Sequence, residues 1–279
     1  MARYGMIIDI DRCNGCYNCF LACKDEFDGN DYPPLSLSRA SSAKPFMQII
    51  ERERGSCPRV KMDYIPIPCL QCKDATCVSK ANHGEVYRRP DGIVLIDPEK
   101  SKGKREIVST CPHRVISWNE EKDIPQKCTF CAHLLDQGWK EPRCVEACPT
   151  GALVFGDLDD PDSAISRKIG SGDTEEFHPE YDLTPSVHYM NLPKRFIAGE
   201  VVLKDRQDQC AEGVMVVLKE EGGEQSCRTD FLGDFEFEGL ESSRAYTIVV
   251  EHAGYEKREL SLKPGRDVNL GEILLEPKG

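Results

Sequence analysis

The sequence has no apolar run approaching the roughly 18–20 residues a membrane-spanning helix needs, so direct membrane insertion is not expected. Its opening, MARYGMIIDIDRC, lacks an apolar segment followed by a small-residue cleavage site. No secretory or twin-arginine signal is read there, and a cytoplasmic location is expected, with co-export alongside a signal-bearing partner left open. Positive charge is in deficit: 36 Lys and Arg against 48 Asp and Glu leave −12. That balance argues against nucleic acid and anionic membrane surfaces as general partners. With 39% hydrophobic residues and 279 positions, the chain is long enough for two compact domains.

Cysteine is what the sequence has in excess. Fifteen occur, thirteen of them between Cys13 and Cys148 and only Cys210 and Cys227 beyond. An odd number without an export signal argues for metal ligation over a disulfide framework. The first group, CNGCYNCFLAC, spaces Cys13, Cys16, Cys19 and Cys23 as C-x2-C-x2-C-x3-C. Three thiolates can then converge on a 4Fe-4S core from one loop, while the fourth points to a second cluster. Zinc is the alternative, but zinc sites use pairs of C-x2-C and rarely place four cysteines in eleven residues. The last group, CTFCAHLLDQGWKEPRCVEACP, spaces Cys128, Cys131, Cys144 and Cys148 as C-x2-C-x12-C-x3-C-P. The two groups complement one another as a two-cluster ferredoxin pair. One cluster is expected on Cys13, Cys16, Cys19 and Cys148, the other on Cys128, Cys131, Cys144 and Cys23. Lys24 stands where proline is usual after the first motif, which removes no ligand.

The middle group, CLQCKDATC, holds Cys69, Cys72 and Cys77, and the expected fourth position is Ala81. Cys111, followed by Pro112 as Cys148 is by Pro149, is expected to complete this third set. Twelve cysteines then make three sets, leaving Cys57 of a further Cys-Pro pair as a free thiol and Cys210 and Cys227 as spectators. His113 and His133, beside Cys111 and Cys131, are either packed near a cluster or hydrogen-bonded to its sulfurs.

The fold class expected is α+β. A tandem bacterial-ferredoxin-like domain over 1–156, with an insertion at 24–68, precedes an acidic linker at 157–194. From 195 to 279, short β-branched and aromatic runs such as IAGEVVL, VMVVLKE and AYTIVVE alternate with turn residues, reading as a seven-stranded β sandwich or barrel. That region carries 11 Lys and Arg against 18 Asp and Glu, a net −7.

PCLQCKDATCV, DPEK followed by Cys111-Pro112, and KCTFCAHLLDQG with PRCVEACPTGAL occur in order. Together they resemble the iron–sulfur subunits of dimethyl sulfoxide reductase-type molybdopterin oxidoreductases over about residues 3–156. In that family DPEK opens a C-x2-C-x2-C-x3-C-P motif, whose cysteines fall here on Ser101, Lys104, Ile107 and Cys111. The resemblance implies that one cluster's ligands, at Ala81, Ser101, Lys104 and Ile107, are missing together, leaving a three-cluster derivative. Lys104 and Arg105 then either fill the vacated place with positive charge or lie in solvent.

DGIVLIDPEKSKGKRE and IERERG, with the C-terminal β region, further resemble small subunits of the pyrogallol–phloroglucinol transhydroxylase type. GDFEFEGLESSRAYTIVVEHAGYEKRELSL is similar to transthyretin-like and carboxypeptidase-regulatory domains. The resemblance implies a noncatalytic electron-transfer subunit with three 4Fe-4S clusters, in a heterodimer or larger assembly. Its partner would be a large catalytic chain carrying molybdenum bis-pyranopterin guanine dinucleotide, and the reaction transhydroxylation, hydroxylation or dehydroxylation of polyhydroxylated aromatics. Service to another enzyme of that family, a free multi-cluster ferredoxin, and a scaffold whose clusters only hold loops are the competing readings.

Overall fold

The computed structural model describes residues 2–40, 43–206 and 209–279. Two compact units divide the chain: Met1–Glu51 with Tyr64–Leu192, and Arg52–Asp63 with Pro193–Gly279.

The first unit is built around β1 (Tyr4–Asp9). Its YGMIID run is apolar on both faces because the strand is covered on both, and Met6, Ile7 and Ile8 are fully buried. After β1 the first cysteine loop leads into α1 (Asn18–Phe27), and a hairpin follows, β2 (Gln48–Ser56) and β3 (Arg59–Ile67). The middle cysteines lead into α2 (Thr76–Ser79), then the paired strands β4 (Val86–Arg88) and β5 (Val94–Ile96). A 3-10 helix at Arg105–Thr110 precedes the pair β6 (Ser117–Asn119) and β7 (Ile124–Gln126). The last cysteine group carries α3 (Ala132–Asp136) and α4 (Arg143–Glu146), and the chain returns through β8 (Leu153–Asp157), antiparallel to β1.

Segment 157–194, expected as a linker, is more than that. It contains α5 (Ala164–Gly170), capped by the Ser163 hydroxyl accepting from Ser166 N–H, and β9 (Val187–Met190), which pairs parallel with β1. The sheet order is β8-β1-β9, so this polar stretch completes the first unit. Val187 and Tyr189 supply the burial, and apolar residues at alternate positions of a four-residue strand leave little periodic signal. Segment 24–68, expected as a surface insertion, also reaches inward. Phe46 and Met47 are buried, Phe46 packing on Phe27, and buried Asn119 and Gln126 donate to the carbonyls of Ser38 and Leu37 (3.0 and 2.7 Å).

The second unit has seven strands in two sheets around one apolar core: β10 (Arg195–Leu203), β11 (Met215–Glu220), β12 (Gly223–Arg228), β13 (Asp234–Leu240), β14 (Tyr246–Glu251), β15 (Arg258–Leu262) and β16 (Val268–Leu275). The sheets run β13-β10-β16 and β12-β11-β14-β15. In β13, Phe235 and Phe237 point inward while Glu236 and Glu238 alternate outward, the period-2 pattern of a strand with one buried face. Residues 52–63 join this unit through charge: Arg54 pairs with Asp63 and with Asp267 (2.9 Å), and Lys61 with Glu236 and Glu238.

Ile248 is fully buried in β14, between β11 and β15. Ile248→Ala is expected to cost about 2–5 kcal/mol through lost burial and a residual cavity. Denaturant unfolding of the full chain should show this as an earlier transition with unchanged iron content; an unchanged transition would contradict the packing.

Candidate metal centres

Three groups of four cysteines form, each from segments far apart in sequence. Cys13, Cys16, Cys19 and Cys148 lie close enough for their charges to act on one another. Cys23, Cys128, Cys131 and Cys144 do the same, as do Cys69, Cys72, Cys77 and Cys111. The third group lines one partly open cavity, walled also by Leu70, Val94, Ile116 and Lys127.

Local backbone geometry explains how each loop curls. In the first C-x2-C motif of each group the residue two after the first cysteine is left-handed: Gly15 (φ 68°), Gln71 (φ 51°) and Phe130 (φ 51°). Such a residue reverses the chain so that successive N–H groups face the sulfur. Phe130 N–H donates to Cys128 Sγ (3.4 Å), and Gly15 N–H acts likewise on Cys13. At Gly15 only glycine fits, since a Cβ would sit 2.6 Å from the Tyr64 ring.

The two Cys-Pro cysteines at the sites are cradled alike. Cys148 receives N–H groups from Thr150, Ala152 and Leu153, and Cys111 from His113, Arg114 and Val115. Three residues after each cysteine the chain is again left-handed, at Gly151 (φ 62°) and Arg114 (φ 56°). Cys111 is thus cradled as Cys148 is, although no other cysteine stands between Cys77 and it.

Burial sets the state of the thiols. It pushes Cys19 and Cys72 up to about 12, and Cys77 and Cys128 up to about 11, with neighbouring cysteines adding to the effect at each. Cys23, Cys131 and Cys144 are raised further still by the same burial. At Cys148 burial acts the same way, but the hydrogen bonds from Thr150, Leu153 and Ala152 outweigh it and hold the thiol below its ordinary value. Four convergent thiolates are therefore stable only with compensating positive charge, which irons supply. Among the described residues, no three Cys, His, Asp or Glu side chains stand near enough to share a single metal ion. Cysteines spread around a cavity suit a multi-iron core better than one zinc ion.

The groups follow one another in space. Cys144 of the second feels Cys19 of the first, and Cys128 of the second feels Cys69 of the third, whose backbone N–H donates to it. All four cysteines of the second group are buried, whereas Cys16 is exposed and Cys13, Cys148, Cys77 and Cys111 are partly so.

The four positions where the family resemblance places a further ligand set hold packed or ion-paired side chains. Ile107 is buried, Ala81 packs on the same core, and Ser101 is completely buried. Lys104 pairs with the buried carboxylate of Glu85, holding it down at about 2 with help from His83 N–H. Arg105 instead lies on the surface, paired with Glu120 (2.7 Å) over the Trp118 ring.

His133 places Nε2 on Glu26 (2.8 Å) and stacks on Tyr32, so this nitrogen serves a carboxylate and not a sulfur. His113 lines the third cavity, and burial, with His178 nearby, holds it down at about 4, so it is neutral there. Cys57 and Cys210 are exposed, and Cys227 is partly buried at the β-unit core.

Two contributors escaped sequence reasoning. Buried Gln71 accepts from Val94 N–H (2.8 Å) and donates to the Cys128 carbonyl (3.1 Å). Buried Lys127 donates to the carbonyls of Val94 and of Cys128 (3.2 Å). The only sequence signal was their position, a polar residue inside or just before a C-x2-C motif.

Comparison with known proteins agrees with this geometry. The family described as a 4Fe-4S dicluster domain matches residues 60–158. The pyrogallol hydroxytransferase small subunit of Pelobacter acidigallici is 41% identical over 282 residues, covering 99% of this chain and all of that one. A chain of Halobacterium salinarum, described as a dimethyl sulfoxide reductase iron–sulfur subunit, is 35% identical, covering 68% of this chain and 80% of its own. The arsenate respiratory reductase iron–sulfur subunit of a Shewanella species is 30% identical, covering 67% and 96%.

Cys111→Ser tests the third grouping. Iron should fall from about twelve to about eight atoms per chain while the other two clusters persist by electron paramagnetic resonance. Loss of a cluster held by Cys13 or Cys23 instead would refute the pairing.

Proposed function

The chain belongs to the iron–sulfur subunits of dimethyl sulfoxide reductase-type molybdoenzymes, and we propose that it transfers electrons for a molybdenum hydroxytransferase, hydroxylase or dehydroxylase of polyhydroxylated aromatics. The observation that carries this reading is the end-to-end similarity to the pyrogallol hydroxytransferase small subunit, which spans the β unit as well as the cysteine unit. Catalysis would lie in a large partner chain holding molybdenum bis-pyranopterin guanine dinucleotide, and the location proposed is cytoplasmic.

Cys13, Cys16, Cys19 and Cys148 would hold one 4Fe-4S cluster, Cys23, Cys128, Cys131 and Cys144 the second, and Cys69, Cys72, Cys77 and Cys111 the third. When bound, each cluster supplies one-electron redox chemistry. The chain's own part is to space the sites and set their surroundings. Burial of Cys23, Cys128, Cys131 and Cys144 isolates the second site from water, and partial exposure at the other two suits them to electron entry and exit. Since moving a hydroxyl between aromatic rings has no net redox change, the sites would then serve activation; a hydroxylase or dehydroxylase would use them every turnover. The seven strands around one apolar core support reading the β unit as a transthyretin-like sandwich.

Anaerobic purification from the native source should recover this chain with a molybdopterin-containing subunit, and the complex should convert pyrogallol. A stable monomer without that partner would sink the subunit reading. A complex that ignores polyhydroxylated aromatics but reduces another substrate would sink only the substrate class.

A further inference from the structure

Lys127 is 3% exposed, and among the described residues no carboxylate lies within ion-pair reach of it. Its ammonium donates to two main-chain carbonyls, Val94 and Cys128, with Gln71 also bonded to the Cys128 carbonyl. Carbonyl dipoles solvate a cation but do not neutralise it, so a buried ammonium requires negative charge nearby. The geometry supplies it from two sides. Lys127 lines the cavity of Cys69, Cys72, Cys77 and Cys111, and it directly precedes Cys128 of the second group.

The contrast with the absent fourth site sharpens the point. There a lysine also stands near the cysteine scaffold, but Lys104 has a buried carboxylate, Glu85, as its partner. Arg39, the other buried cation near a cysteine of the second group, is likewise paired, with Asp28 (2.7 Å). Lys127 has no such protein partner among the described residues, so its charge is left for the thiolate-bound clusters.

We propose that Lys127 is the internal counter-ion shared by the second and third clusters, a positioning residue that raises their reduction potentials relative to the first. Adding one electron to a four-thiolate cluster makes its net charge one unit more negative, and a fixed cation within a dry wall stabilises that state more than the oxidised one. The consequence is directional: an electron resides preferentially on the side of the second and third sites. This rests on the reading of the cysteine sets as 4Fe-4S sites.

The test is a potentiometric titration of the full chain with its partner subunit, dithionite as reductant, followed by electron paramagnetic resonance. Lys127→Met and Lys127→Gln should both shift the reduction equilibrium of the third site, and to a smaller degree the second, toward the oxidised form. A tenfold change is expected, about 59 mV for a one-electron couple, with the first site unmoved. Lys127→Arg, which keeps the charge, should restore the wild-type potential. If both neutral variants keep about twelve irons and titrate like wild type, the counter-ion role is refuted. A shift in the Met variant alone would assign the effect to hydrogen bonding and also refute it. Loss of the third cluster in both neutral variants would overturn it in favour of an assembly role. Wild-type protein without 4Fe-4S signals would fail differently, by removing the underlying cluster reading.

Discussion

Everything in the first unit answers one electrostatic constraint: thiolates brought together in a dry interior repel one another and lose hydration unless positive charge sits among them. Burial, with neighbouring cysteines adding to it, pushes thiols such as Cys19 and Cys72 toward the protonated state. The loops respond with left-handed turns at Gly15, Gln71 and Phe130, and those at Gly15 and Phe130 aim N–H groups at sulfur. Cluster binding and folding are then one process, because the sulfur cages have no comparable stability without iron. The short sheets and one-turn helices hold three such cages at fixed places, with contacts running from Cys19 to Cys144 and from Cys128 to Cys69.

The same constraint bears on the positions where the family resemblance places a further ligand set. A region without thiolates needs apolar packing and paired charges in place of a metal core. Ile107 and Ser101 fill space, and the Lys104–Glu85 pair closes the region with a self-compensated charge couple. Arg105, its neighbour in sequence, takes no part and stays outside. Lys127 shows the opposite solution, a buried cation with no carboxylate of its own among the described residues, beside two cysteine sets that carry negative charge once metallated.

Much of the architecture was legible in the order of residues. Cysteine spacing is a short-range property of a loop, and C-x2-C must curl tightly wherever it occurs, so candidate ligand sets could be named without coordinates. The seven strands of the β unit were equally visible, since Phe235, Glu236, Phe237 and Glu238 alternate as a one-sided strand must. Segment 157–194 was not: β9 is four residues long within a polar stretch, and its pairing with β1 depends on a partner some 180 positions away. Residues 24–68 hid Phe46 and Met47 in the same manner, as two apolar side chains without a period.

The sequence by itself determined the local chemistry: which cysteines stand in C-x2-C and C-x3-C-P motifs and are therefore candidate ligands. These follow from residue identity and spacing, which act over a few bonds. Tertiary structure alone decided which cation faces which anion. Lys104 and Lys127 read alike as lysines near cysteine motifs, yet one is neutralised by Glu85 and the other, bonded to main-chain carbonyls, lines the cavity of the third cysteine set. Charge pairing depends on three-dimensional distance and on the loss of water between the partners, and neither is encoded in the local order of residues.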